Sequence, residues 1–171
     1  VARLNHGQDI AGQSIGSPTR FHIGVAVNPF APDAYAEWRR LDHKVQAGAE
    51  FILTPPILDL DAFDAVLERL RQTGLPILAA VVALDSLRQA EFIASEVTGA
   101  RVPDAVLDRL RRASDPAAEA ARISLEVAKA LVARADGLQV TSVHGSTIAA
   151  EQLLAALTGG VAARPQVVRR G

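Results

Sequence analysis

Asp59 and Asp85 each follow a run that reads as a strand, where a carboxylate could exchange protons with a ligand; an Asp directly ahead of a helix more often caps it. His144, with Ser142, Ser146 and Thr147 close by, has the residue types of a base and a nucleophile. Their spacing fits no triad and reads as an exposed loop. His6, His22 and His43 are scattered and form no metal-ligand pair. The chain has no cysteine, hence no disulfide, zinc knuckle or thiol nucleophile, and no metal site is expected. Glu37 and Lys44 are seven residues apart, two helical turns, so they share one helix face. By spacing alone they are a solvated charged face. Gln89, read the same way, is an ordinary polar helix residue.

The elements that would carry these groups alternate. Phe21 to Val27 reads as a strand stopped by Asn28-Pro29, after a helix tail (Val1 to Asn5) and a polar, Gly-rich loop. Residues 34–47 follow as a helix with Trp38, Leu41 and Val45 on one face. Phe51 to Thr54 is a short buried strand closed by Pro55-Pro56. Phe63, Val66, Leu67 and Leu70 mark the next helix, ended at Gly74. Ile77 to Val82 is a continuous apolar run suited to a sheet covered on both faces. Helices are expected from Ser86, a good N-cap, to Glu96, from Pro103 through Leu110, and from Pro116 to Ala135. Gly137 to Thr141 is the last strand and Ile148 to Leu157 the last helix.

Repeated strand-then-helix with buried strands implies a parallel sheet with right-handed crossovers. A closed (β/α)₈ TIM barrel takes about 250 residues. The expected fold is therefore α/β: a partial TIM barrel of about four β/α units with an extra helix pair. The domain is expected over residues 1–158, with a mobile tail over 159–171. A small open α/β sheet is the alternative, although no Gly-rich phosphate loop follows any strand. In a parallel barrel the chemistry belongs at the C-terminal strand ends: Asn28 and Pro29, Thr54 to Pro56 with Asp59, Leu84 to Ser86, and Thr141 to His144.

The chain of 171 residues is 49% apolar, 22% charged and 4% aromatic, with a formal net charge of −1, an ordinary soluble composition without a broad basic surface. Nucleic-acid binding is not expected. No apolar run approaches the ~20 residues of a membrane span, and no signal peptide is visible, so the expected location is cytoplasmic.

Four blocks, in order, resemble the methylenetetrahydrofolate reductase family. They are Arg20-Phe21-His22-Ile23-Gly24-Val25-Ala26-Val27-Asn28-Pro29, Lys44-Val45-Gln46-Ala47-Gly48-Ala49-Glu50-Phe51-Ile52-Leu53-Thr54, Ser86-Leu87-Arg88-Gln89-Ala90-Glu91-Phe92, and Glu96-Val97-Thr98-Gly99-Ala100-Arg101-Val102-Pro103. The second is similar to the family's K-V-x-A-G-A-x-F-I-x-T-Q, the fourth to its E-V-P-G-x-x-V-P. The look is nearest to the bacterial branch in which this domain can be fused to a homocysteine methyltransferase domain.

The resemblance implies a barrel that holds FAD at its C-terminal strand ends, with NADH or NADPH as reductant. It implies reduction of 5,10-methylenetetrahydrofolate to 5-methyltetrahydrofolate, in one-carbon metabolism and methionine biosynthesis. By position it implies cofactor contacts at Glu37, Lys44, Thr54 and Gln139, and substrate contacts at Gln89 and at Phe92 or Ile93. Pro55 stands where the family has a folate-contacting glutamine, and Gln139 where it often has a histidine. The resemblance starts in the family's middle, so the general-acid glutamate of the first strand is expected in a missing N-terminal half and no catalytic residue in this chain. The implied partners are a folate and either that N-terminal half-barrel or a second copy. The other reading is a non-catalytic half-barrel with a structural or regulatory role.

Overall fold

Four apolar segments pair side by side in chain order, every pair parallel: β1 (Gly24–Ala26), β2 (Phe51–Pro56), β3 (Ile77–Val82) and β4 (Gly137–Thr141). This computed structural model describes residues 1–143 and 147–159. His144 and Ser146, and all of the expected tail except Gly159, lie outside the described residues. A doubly wound sheet reverses its strand order at a switch point. Here each strand lies beside its predecessor without reversal, which is the winding of a barrel. The fold is α/β, with four parallel strands alternating with helices in the order of a partial TIM barrel.

Helices α1 (Ala2–Asn5), α2 (Ala34–Gln46), α3 (Leu60–Arg71), α4 (Leu87–Glu96), α5 (Asp104–Arg112), α6 (Pro116–Val132) and α7 (Ile148–Leu157) fill the connections. The expected extra helices are α5 and α6, inserted between α4 and β4. Starts are set by side chains that accept the first free N–H groups. Asp33 caps α2, Asp59 caps α3, Ser86 caps α4, and Asp115 caps α6, with Pro116 at its first position. Asp59 is thus the cap its position suggested. Asp85 is not: Ser86 takes that place, and the Asp85 carboxylate accepts instead from the Ser86 hydroxyl at 2.7 Å.

Ile52, Ile77, Ala79 and Val81 point from one sheet face into the helix layer, where they are buried with Leu41, Phe63, Leu70, Ile123 and Leu131. Each of the larger side chains among them is worth about 1.5–3 kcal/mol of burial. The strand partners Gly24–Phe51, Leu53–Leu78, Leu78–Gly137 and Ala80–Gln139 share the opposite face. On that face the edge strands carry glycine where the inner strands carry bulk. A Cβ at Gly24 would collide with the Phe51 ring, and one at Gly137 would lie 2.7 Å from Leu78 Cδ2.

Two strands differ from their expected lengths. β1 is shorter, because residues before Gly24 bond to side chains: Phe21 N–H donates to Asn5 Oδ1 and Ile23 N–H to Glu50 Oε2. β2 is longer and runs through both prolines. Leu53 pairs with Leu78 but Pro56 with Ala80, so β2 carries one extra residue, a β-bulge.

Candidate functional site

The C-terminal end of β1 lies at an open sheet edge. Val27 N–H donates to Leu53 O and Glu50 N–H to Ile23 O, so the odd-numbered residues face β2. Gly24, Ala26 and Asn28 therefore turn their backbone groups outward. Helix α2 supplies partners there. Lys44 Nζ donates to Ala26 O at 2.6 Å, and Asn28 N–H donates to Glu37 Oε1 at 2.9 Å. Glu37 is only 7% exposed, and its second oxygen accepts from Arg40 at 2.8 Å and 3.0 Å. A buried carboxylate so bonded avoids the cost of an unpaired charge. Lys44, half-buried, uses one N–H on Ala26 and has others to offer a ligand.

At the end of β2 the Thr54 hydroxyl is engaged within the sheet. It accepts from Ala80 N–H at 3.0 Å and donates to Pro55 O at 2.9 Å. The bulge shifts the register, so the Thr54 hydroxyl oxygen takes the place of a backbone carbonyl as the acceptor for Ala80 N–H. Its hydroxyl hydrogen is thus engaged on Pro55 O.

Gln89 is 2% exposed and links the ends of β3 and β4. Its Oε1 accepts from Asp85 N–H at 3.0 Å, and Nε2 lies 3.5 Å from Val143 O. Its own N–H donates to the Ser86 hydroxyl. This is a capping box displaced by one residue; its sequence signal is Ser86-x-x-Gln89, of which only the Ser86 cap was expected. Of the two residues expected near the substrate, Ile93 lies wholly in the core of this chain. Phe92, next to it, is 37% exposed. Gln139 is exposed on the sheet face opposite the helices, beside Ala80.

Sequence reasoning missed what the connection between α4 and α5 does. It reaches back across the ends of β1 and β2. Gly99 sits at φ +83° against Asn28, whose Oδ1 would be 2.7 Å from a Cβ at that position. Arg101 forms a parallel bridge with Ile57, and its guanidinium lies 5.0 Å from the Phe30 ring centroid. The signal was the Glu96 to Pro103 block, read only as a family landmark.

A family model described as methylenetetrahydrofolate reductase matches residues 15–160. The chain belongs to the methylenetetrahydrofolate reductase family. No curated protein matches the sequence. Among solved structures, one similar in fold is an uncharacterized protein from Clostridium thermocellum that binds two copies of 5-methyl-5,6,7,8-tetrahydrofolic acid. The TM-score is 0.56 at 14% identity, over 89% of this chain and 65% of that one. The chain thus spans 65% of that protein's length.

Methylenetetrahydrofolate reductases are typically FAD-dependent, and the donor set here suits such a group: a lysine with N–H groups to spare and a carboxamide exposed on the inner sheet face. Among the described residues no group of His, Cys, Asp or Glu could hold a metal ion, and no helix is long and apolar enough to cross a membrane. A cleft of about 280 Å³ between α6, α7 and the end of β3 is lined by Leu84, Asp85, Ser124, Leu125 and Leu153; it takes in the expected strand-end residues Leu84 and Asp85 but none of the expected cofactor or substrate contacts. The perturbed ionisations lie on α3, α5 and α6 and at Arg134 just past the end of α6. Arg134 lowers the pKa of Asp64 through a hydrogen bond, and Arg109 that of Glu126.

Proposed function

We propose that this chain is the C-terminal half of a flavin-dependent methylenetetrahydrofolate reductase barrel and acts within the complete barrel. There NADH or NADPH would be the reductant and 5,10-methylenetetrahydrofolate the substrate, yielding 5-methyltetrahydrofolate for methionine biosynthesis in the cytoplasm. The observation that carries this reading is the meeting of Glu37 and Lys44 at the end of β1, within a family match over residues 15–160. Binding of 5-methyltetrahydrofolate by the structural relative supports a folate as ligand.

FAD, when bound, supplies the hydride acceptor and donor that no side chain provides. Lys44 would hold its polar edge with the N–H groups not used on Ala26, while Glu37 keeps Asn28 and the turn after β1 in place. Gln139 offers a carboxamide from the inner sheet face. Gln89 braces the ends of β3 and β4 and so shapes the floor beneath a folate, with Phe92 near the rim. The general acid would come from the N-terminal half-barrel.

Pro55 favours a second reading, a non-catalytic relative with a structural or regulatory role, because proline offers neither a side-chain amide nor an N–H to a folate. Reconstitution separates the two. The purified chain, given FAD, NADH and a quinone acceptor, is expected to show little or no turnover. Combined with the N-terminal four β/α units of a family member, it should gain reductase activity. A barrel that assembles and holds FAD but reduces no folate would favour the non-catalytic reading. In that barrel Pro55→Gln should strengthen folate binding, and no change would argue that folate is not the ligand.

A further inference from the structure

We infer that Arg101 is an anion-binding and specificity residue of this site, receiving the negatively charged extension of the bound ligand. That anion is either the glutamate carboxylates of a folate or the pyrophosphate of a flavin dinucleotide. The inference rests on the flavin and folate reading above.

The argument begins with where Arg101 is held. Gly99 packs on Asn28, and Asn28 N–H is bonded to Glu37, so the α4–α5 connection is anchored to the end of β1 beside a candidate cofactor residue. Two residues on, the Arg101 backbone bridges to Ile57, just past β2. Arg101 therefore lies where the loops after β1 and β2 meet, on the face at which a parallel barrel does its chemistry.

Its side chain is positioned but not neutralised. Arg40, Arg69, Arg109 and Arg134 each have a carboxylate partner. Among the described residues Arg101 has none, and its guanidinium rests on the half-buried Phe30 ring. Stacking on an aromatic face leaves the in-plane N–H fork open, and that fork matches a carboxylate or a phosphate with two parallel hydrogen bonds. Solubility alone would be served by a lysine or by an arginine pointing to water. A planar cation pre-set on Phe30 loses less freedom when it binds an anion.

The test is Arg101→Gln, a change at an exposed position, in the barrel assembled with an N-terminal half-barrel, with binding measured by calorimetry for two ligand pairs. One pair is 5-methyltetrahydrofolate and its analogue lacking the glutamate; the other is FAD and riboflavin. The expected result is a loss of about tenfold or more for the anionic member of one pair, with its truncated partner unchanged. The pair affected identifies the source of the anion. Equal weakening within both pairs, or no weakening at all, would overturn the inference while the site reading stands. If the barrel assembled from the unsubstituted chain binds none of the four, the flavin and folate reading falls and the inference with it.

Discussion

Glu37 and Lys44, two turns apart on α2, bond to backbone groups of opposite polarity on one strand edge, Glu37 to Asn28 N–H and Lys44 to Ala26 O. An open edge is a template for unwanted strand pairing unless something occupies it. Here side chains occupy it at the C-terminal end of β1, where the ligand is expected. Glu37→Ala would leave Asn28 N–H without its partner and should cost about 1–3 kcal/mol in urea unfolding. Glu37→Gln keeps a carbonyl acceptor and should cost less.

Thr54 carries the bulge in β2. Thr54→Val removes the acceptor of the Ala80 N–H at nearly constant shape, and the orphaned donor should cost about 1–3 kcal/mol. Thr54→Ser, which keeps the hydroxyl, should unfold close to the parent midpoint. A Val variant as stable as the parent would mean that another acceptor reaches Ala80.

Gly24 has no room for a side chain because the Phe51 ring lies across it. Gly24→Ala should destabilise by about 1–3 kcal/mol through overpacking. Adding Phe51→Ala should recover part of that loss relative to the two single changes, a coupling that chemical denaturation of the four proteins would reveal.

Asp64 and Glu126 ionise below the usual carboxylate range, each through a hydrogen bond from an arginine, Arg134 and Arg109 respectively. A carboxyl group whose pKa is lower folded than unfolded adds stability above its unfolded value, about pH 4, and that stability is lost as pH falls through the folded value. Thermal midpoints should therefore drop in acid below that range. Asp64→Asn and Glu126→Gln should start slightly lower at neutral pH and show a shallower fall. Both pairs are largely exposed, so the differences should be small and should shrink with added salt.

Strand and helix order was legible because buried parallel strands are continuous apolar runs and helices carry apolar faces at every third and fourth residue, as in Ile77 to Val82 and Phe63 to Leu70. The C-terminal extent of β2 was not. Pro55-Pro56 reads as a stop, and only the pairing with β3 shows that a bulge and the Thr54 hydroxyl carry the strand past it. Glu37 and Lys44 were legible as a shared face but not as an edge cap, since nothing local reveals which way Ala26 and Asn28 turn. Ile93 and Phe92 were inseparable in sequence because adjacent helix positions differ by only 100° around the axis, and packing on the core decides which is buried. The reach of Gly99 and Arg101 across to β1 and β2 is a tertiary relationship with no local periodicity to announce it.

Flavin binding in the assembled barrel, with and without the Lys44 ammonium, tests the central claim most directly. The parent chain and Lys44→Met, each combined with an N-terminal half-barrel, would be dialysed against FAD and the bound flavin read by absorbance. Retention of FAD by the parent and a loss of affinity of about tenfold or more in Lys44→Met is the expected result. Absence of FAD from every assembled form, or equal retention by both proteins, would contradict a flavin site at Glu37 and Lys44.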